Sequence, residues 1–242
     1  MKRLMRWVLT TLSTILAVTA LLLTAQEMNA ETAYRELGKH SKESVTGNGT
    51  SERDWSRIRD ENEDTVGWIT VEGTSIDYPV VQPSNPTESN FYLSHNFWRQ
   101  ADVAGCPYLD VRSSVTGAHM MIFGHRLGPT NRMFGSLSNS WKQEFFEGLG
   151  EAHLDTPDRD FAFSPLCALK VDCDFSDIQR FDFESDEEMR MWLSELVQRA
   201  GARHAKADSL ITRAERLLTL VTCSNPRSGG RERTLVIFVA RT

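Results

Sequence analysis

Disulfide scaffolds, zinc modules and nucleic-acid surfaces all need residues that this chain does not supply. Its 242 residues hold only four cysteines, Cys106, Cys167, Cys173 and Cys223, too few and too scattered for a disulfide framework. Cys167 and Cys173 are near enough in sequence to pair, or they are ordinary core residues. No CxxC occurs and no histidines fall at zinc-ligand spacing, so no metal or other cofactor is expected. No stripe of one charge is present either. Lys and Arg number 27 against 33 Asp and Glu, a net charge of −6, and the basic residues are interleaved with acids. That balance argues against a nucleic-acid partner. Internal repeats and low-complexity tracts are absent as well.

One local absence carries more. After Lys2, Arg3 and Arg6, no charge occurs until Glu27. As a helix, Trp7–Ala25 would be about 28 Å long at about 1.5 Å per residue, close to a bilayer core of about 30 Å. Basic residues on its short leading side predict that this side stays in the cytoplasm. Residues 1–25 are therefore expected to be a cytoplasmic stub and transmembrane signal-anchor, with a cleaved signal peptide as the alternative. Either way the remainder is exported. Residues 26–51 read as a juxtamembrane spacer, helical in its first part, and 52–242 as the main exported domain.

That last part reads as mainly β with inserted helices. "VGWITVEGTSIDYPVVQ" alternates around a Gly-Thr turn and predicts strand, turn, strand. "GCPYLDVR", "HMMIFGHR", "EAHLDTP" and "RDFAFSPLCALKVDC" supply more strands. Trp55 and Ile58 sit at helical spacing, and "MFGSLSNSWKQEFFEGL" reads as one or two helices. The stretch 185–204 is the clearest helix, capped by Ser185 and apolar at Met189, Trp192, Leu193 and Leu196. Two strong strands, 217–222 and 234–240, close the chain. Many short strands with inserted helices predict a closed β-barrel decorated by helices.

Between those last strands lies the chemistry. Cys223 ends the first, in "TLVTCS". A thiol reacts as its thiolate and needs a base or cation nearby at neutral pH. Of the six histidines, His40 lies in the spacer, His95 in "LSHNF", His153 in "EAHLD" and His204 at the end of the long helix, and His125 is the best candidate. His125 follows the apolar strand Met120–Phe123 through Gly124, so it stands at a strand end where loops expose it. His119 stands at the other end of the same strand. An acyl transfer also develops an oxyanion, which a fixed guanidinium can stabilise. Arg227, Arg231 and Arg233 follow the cysteine. Arg231 and Arg233 are two apart and so face one side of a strand.

These residues resemble a known family. "TLVTC" at 219–223 is similar to the TLxTC motif of the sortases, and "FGHR" at 123–126 with "MFGSL" at 133–137 is similar to the class B stretch YGHN…MFGDL. "NFYLSHNF" at 90–97 and the strands at 66–82 also match, and the likeness covers about residues 52–241. It implies a sortase barrel of about eight strands, with a long helix before the last core strands. It implies a cysteine transpeptidase in which Cys223 is the nucleophile and His125 the acid/base. Arg233 is the expected oxyanion partner, with Arg231 second, because a gapless match of "VIFVAR" puts Leu235 where the family carries its arginine. Leu93, Val221, Thr222 and Ser224 are the positions expected to contact substrate. The implied partners are surface proteins with a C-terminal sorting signal of the NPxTN kind, and a peptidoglycan-precursor or pilin amine as acceptor. The implied location is the cell membrane, single-pass, with the catalytic domain outside. A hydrolysing cysteine peptidase and an inactive anchored scaffold are the alternatives.

Overall fold

The computed structural model describes residues 2–41, 53–127, 131–225 and 230–240. Arg227 and the end of the expected spacer lie outside them. The chain divides into two compact units, 1–55 and 56–242. In the first, α1 (Lys2–Ser41) is one helix that continues past the expected anchor boundary into the spacer. Among the described residues, no helix is long and apolar enough to cross a membrane. The structure thus adds no support to the expected anchor, which rests on the sequence alone.

The second unit is a closed barrel. After α2 (Trp55–Glu61) come β1 (Thr65–Val71), β2 (Asp77–Val81), β3 (Tyr108–Leu109) and β4 (His119–Phe123). A short helix α3 (Gln143–Phe146) leads into β5 (Ala152–Asp155) and the long β6 (Asp160–Asp172). Next are α4 (Asp186–Arg199), β7 (Ala202–Arg203) and α5 (Ala207–Thr212). The unit ends with β8 (Arg216–Cys223) and β9 (Glu232–Ala240). The sheet runs β5-β1-β2-β3-β4-β8-β9-β6-β7, and β5 also pairs β6, which closes a ring of eight strands with β7 outside it. Closure removes the unpaired edges that an open sheet would expose. β6 serves three neighbours: 160–163 pair β5, 164–172 pair β9, and Cys167 and Ala168 also pair β7. Its register shifts between Pro165 and Cys167, a place where a residue without an N–H is tolerated.

α4 forms where its apolar spacing requires. Ser185 accepts from the Glu188 N–H at 3.2 Å, and Asp186, Glu187 and Glu188 fill the first turn, favourable at a helix N-terminus. Met189, Trp192, Leu193, Leu196 and Val197 pack with Leu169, Leu217, Val221, Leu235 and Ile237 of the sheet. Each such buried side chain contributes about 1.5–3 kcal/mol. The helix stops at Arg199, short of the expected 204, because Ala200 turns extended and Gly201 lies against the Trp141 carbonyl, 2.4 Å from where a Cβ would stand. His204 therefore lies beyond β7 rather than at a helix end.

Candidate active site

The site forms where β4 and β8 run out together. They pair in parallel, with Met121 beside Thr219 and Phe123 beside Val221. The Gly124 N–H still donates to the Val221 carbonyl at 3.0 Å. Two residues further, that register brings His125 alongside Cys223. β9 returns antiparallel and sets Arg233 directly across from Cys223. The neighbouring Ser224 N–H donates to the Glu232 carbonyl at 3.0 Å. Cys223 and Arg233 therefore form the non-hydrogen-bonded kind of pair, whose side chains share a face and approach most closely.

All three residues line one cavity of about 670 Å³. Its apolar lining includes Met121, Phe123, Val221, Leu235, Phe175 and Ile178, and Arg126, Asp172 and Gln179 are among the polar residues that line it with Cys223, His125 and Arg233. Cys223 is half-buried and is not in a disulfide; Cys106 and Cys167 are buried free thiols and Cys173 is half-buried. Burial pushes the Cys167 thiol up to about 12, which keeps it protonated and inert.

His125 has a fixed ring. Its Nε2 meets the Leu93 carbonyl at 2.8 Å. A carbonyl only accepts, so Nε2 carries the proton, and Nδ1 is left to exchange one. Arg233 is braced by two backbone carbonyls: its Nη1 donates to Gly230 O at 2.7 Å and Glu232 O at 3.2 Å. Among the described residues, no hydrogen bond engages its Nε or Nη2. Arg126 donates through Nη1 to the Ser224 carbonyl and pins the backbone just past the cysteine.

The other candidates separate clearly. Arg231 is exposed and bound to Asp172 at 2.7 Å and to Asp174. Ligand atoms of Asp172, Cys173 and Asp174 lie within 4.8 Å of one another, but that same guanidinium already bonds both carboxylates. Leu93, Val221 and Thr222 line the cavity. Ser224 does not line it; its hydroxyl bonds Thr234 Oγ1 at 2.8 Å, which in turn donates to Ser138 O. His119 is fully buried, with Nδ1 on the Arg180 carbonyl at 2.6 Å and Nε2 on Thr219 Oγ1 at 2.8 Å. Sequence reasoning did not find the wall residues Phe175 and Ile178 or the stacked pair Tyr108–Phe123, whose centroids are 5.3 Å apart. Their only signal was an aromatic or aliphatic side chain near a strand end.

A cysteine at a strand tip, an arginine across from it and a histidine on the parallel neighbour define a cysteine-centred barrel of the sortase kind. No protein-family model matches the chain. Among known proteins it is 29% identical to Sortase B of Staphylococcus aureus over 178 residues, 73% of this chain and 70% of that one. It is 23% identical to Sortase B of Listeria monocytogenes over 206 residues, 81% and 78% of the two chains. Its fold matches the crystal structure of Staphylococcus aureus Sortase B complexed with MTSET, with a TM-score of 0.65 at 27% identity over 76% of each chain. A Staphylococcus aureus sortase B–substrate complex matches at a TM-score of 0.72 and 24% identity, over 89% of this chain and 97% of that one. In sequence and in fold, then, this chain is similar to class B sortases.

Proposed function

We propose that this chain is a transpeptidase that cleaves a C-terminal sorting signal and passes the surface protein to an amine. The supporting observation is the strand register that brings Cys223, His125 and Arg233 to one cavity wall. The Cys223 thiolate attacks a backbone carbonyl carbon of the signal. The electron pair moves onto the carbonyl oxygen, which Arg233 stabilises through Nε and Nη2. As the tetrahedral species collapses, the C–N bond breaks and the His125 imidazolium gives its Nδ1 proton to the departing amine. A thioester remains on Cys223. The acceptor amine then attacks it, His125 takes the amine proton, and the C–S bond breaks to restore the thiolate. These steps balance without a cofactor. Related structures carry a substrate and a triglycine peptide, which supports a peptide donor and an amine acceptor here as well. A hydrolase would run the same steps with water in place of the amine.

The proposal also puts the catalytic unit at the outer face of a cell membrane. Its tether would be the uncharged stretch Trp7–Ala25, a reading carried by the sequence alone. Resistance to alkaline carbonate extraction from membranes is the expected result, and release into the wash would remove the tether from the proposal.

The deciding experiment incubates the full chain with an NPxTN-type fluorogenic peptide, with and without an added amine, and follows intact mass. An acyl adduct on Cys223 and an amine-dependent ligation product are expected, and both should vanish in Cys223→Ala. Cleavage with no ligation at any amine concentration would make the chain a hydrolase. A folded chain with no adduct across a peptide library would make it a scaffold.

A further inference from the structure

The His125 ring is set by a backbone carbonyl, and that carbonyl is itself held from beneath. Leu93 ends the 3-10 turn Phe91–Leu93. The middle residue of the turn, Tyr92, is fully buried and points its phenol into a polar cluster. The Tyr92 hydroxyl donates to Asp64 Oδ2 at 2.7 Å and accepts from Asn62 Nδ2 at 2.9 Å. Asn62 also donates to the Phe97 carbonyl at 2.7 Å. Asp64 further accepts from Ser84 Oγ at 2.9 Å and from Arg99 Nη1. Burial acts to raise the Asp64 carboxyl, but the bonds from Tyr92 and Ser84 and the Arg99 charge outweigh it and hold it below the ordinary range. Asp64 is thus an ionised acceptor at neutral pH. Burial pushes the Tyr92 phenol upward, so it stays protonated and donates.

A second contact ties this turn to the histidine. The Cys106 N–H donates to the Tyr92 carbonyl at 3.0 Å. Gly105, at φ +60°, presses between the turn and the ring. A Cβ there would stand 2.4 Å from Tyr92 O, 3.1 Å from His125 Cδ2 and 3.3 Å from Leu93 O. The turn, the glycine and the imidazole therefore fit without spare room.

We infer that Tyr92 and Asp64 are positioning residues for His125. They lock the Phe91–Leu93 turn so that its last carbonyl takes the Nε2 proton and turns Nδ1 to the reaction. The inference rests on the role of His125 in the proposed function. It gives Leu93 a task apart from any substrate contact, and one performed by its backbone.

The test reads the His125 tautomer in the ¹⁵N-histidine-labelled full chain, in detergent, by long-range ¹H–¹⁵N NMR. The parent should show the Nε2–H form. Tyr92→Phe keeps the ring and removes the hydroxyl. It should raise the Nδ1–H form and lower kcat about tenfold with KM changed by less than about twofold. Gly105→Ala should shift the tautomer in the same direction by crowding the same bond. Ile211→Val in α5 trims the core elsewhere and should leave the tautomer alone. An unchanged tautomer in both variants overturns the inference, as does an equal shift in Ile211→Val. Because the tautomer is read without turnover, the two ideas fail separately. A shifting ring in a chain that cleaves no peptide supports the positioning and removes the proposed function.

Discussion

His119 and His125 flank one strand, on the same face by alternation, yet the fold gives them opposite properties. At the His119 end, Phe181 stacks at 5.8 Å and Trp192 of α4 lies at 5.7 Å, so the imidazole is sealed. The Arg180 carbonyl fixes the proton on Nδ1, and the Thr219 hydroxyl occupies Nε2. Neither nitrogen can trade a proton. At the His125 end α4 offers no cover, the ring borders the cavity, and the proton sits on the opposite nitrogen. One residue type is thus sealed or open to a cavity according to whether α4 covers it. Two arginines show the same division. Arg231 spends its guanidinium on Asp172 and Asp174, while Arg233, two residues on, lines the cavity and among the described residues bonds only through Nη1.

The sharpest way to break the histidine comparison is to remove each ring in turn. His125→Gln should lower kcat by about 10²–10⁴-fold in peptide transfer, the usual worth of a positioned acid/base. His119→Gln should keep kcat within about threefold and lower the melting temperature instead, because it opens the packing under α4. If His119→Gln loses turnover while remaining folded, the division of roles is wrong. The arginine comparison comes next. Arg233→Ala should cost about 10²–10³-fold in kcat, the typical loss of an oxyanion donor. Arg231→Ala should stay within about twofold, since it removes only exposed ion pairs. Steady-state rates on the fluorogenic peptide distinguish the two, and a larger loss in Arg231→Ala would reverse the assignment.

How far the sequence reached depended on how local the signal was. Alternation about a turn made β1 and β2 legible, and Ser185 with four apolar positions marked α4. Both β8 and β9 showed as long β-branched runs, which placed Cys223 and Arg233 at their ends. β7 has two residues and α5 six, too short for either periodicity to register. The end of α4 was overread because Ala200 turns extended and Gly201 packs against Trp141, a tertiary contact with no proline to announce it. Within the site, side chains that do chemistry were readable, but the carbonyl of Leu93 was not. A backbone acceptor leaves no mark in residue type, and its support spans 28 positions from Asp64 to Tyr92. Ser224 shows the reverse case: adjacent to the nucleophile in sequence, it turns its hydroxyl to Thr234.

The smallest effect expected is one of pH on stability, and it belongs to the buried histidine. Burial drives the His119 pKa down to about 4, against the upward pull of the Arg180 carbonyl and Asp110. In the unfolded chain an ordinary histidine takes its proton near pH 6.5. Between those values the unfolded chain binds more protons than the folded one, so stability falls as pH is lowered through that window. At about 1.36 kcal/mol per pH unit the loss from pH 6.5 to 5 is at most about 2 kcal/mol. His119→Gln has no such proton to take up. Urea unfolding of parent and variant at pH 7 and pH 5 should show a pH-dependent drop in the parent that is smaller in His119→Gln. An equal drop in both would mean that other groups carry the acid sensitivity and that His119 is not held neutral by its burial.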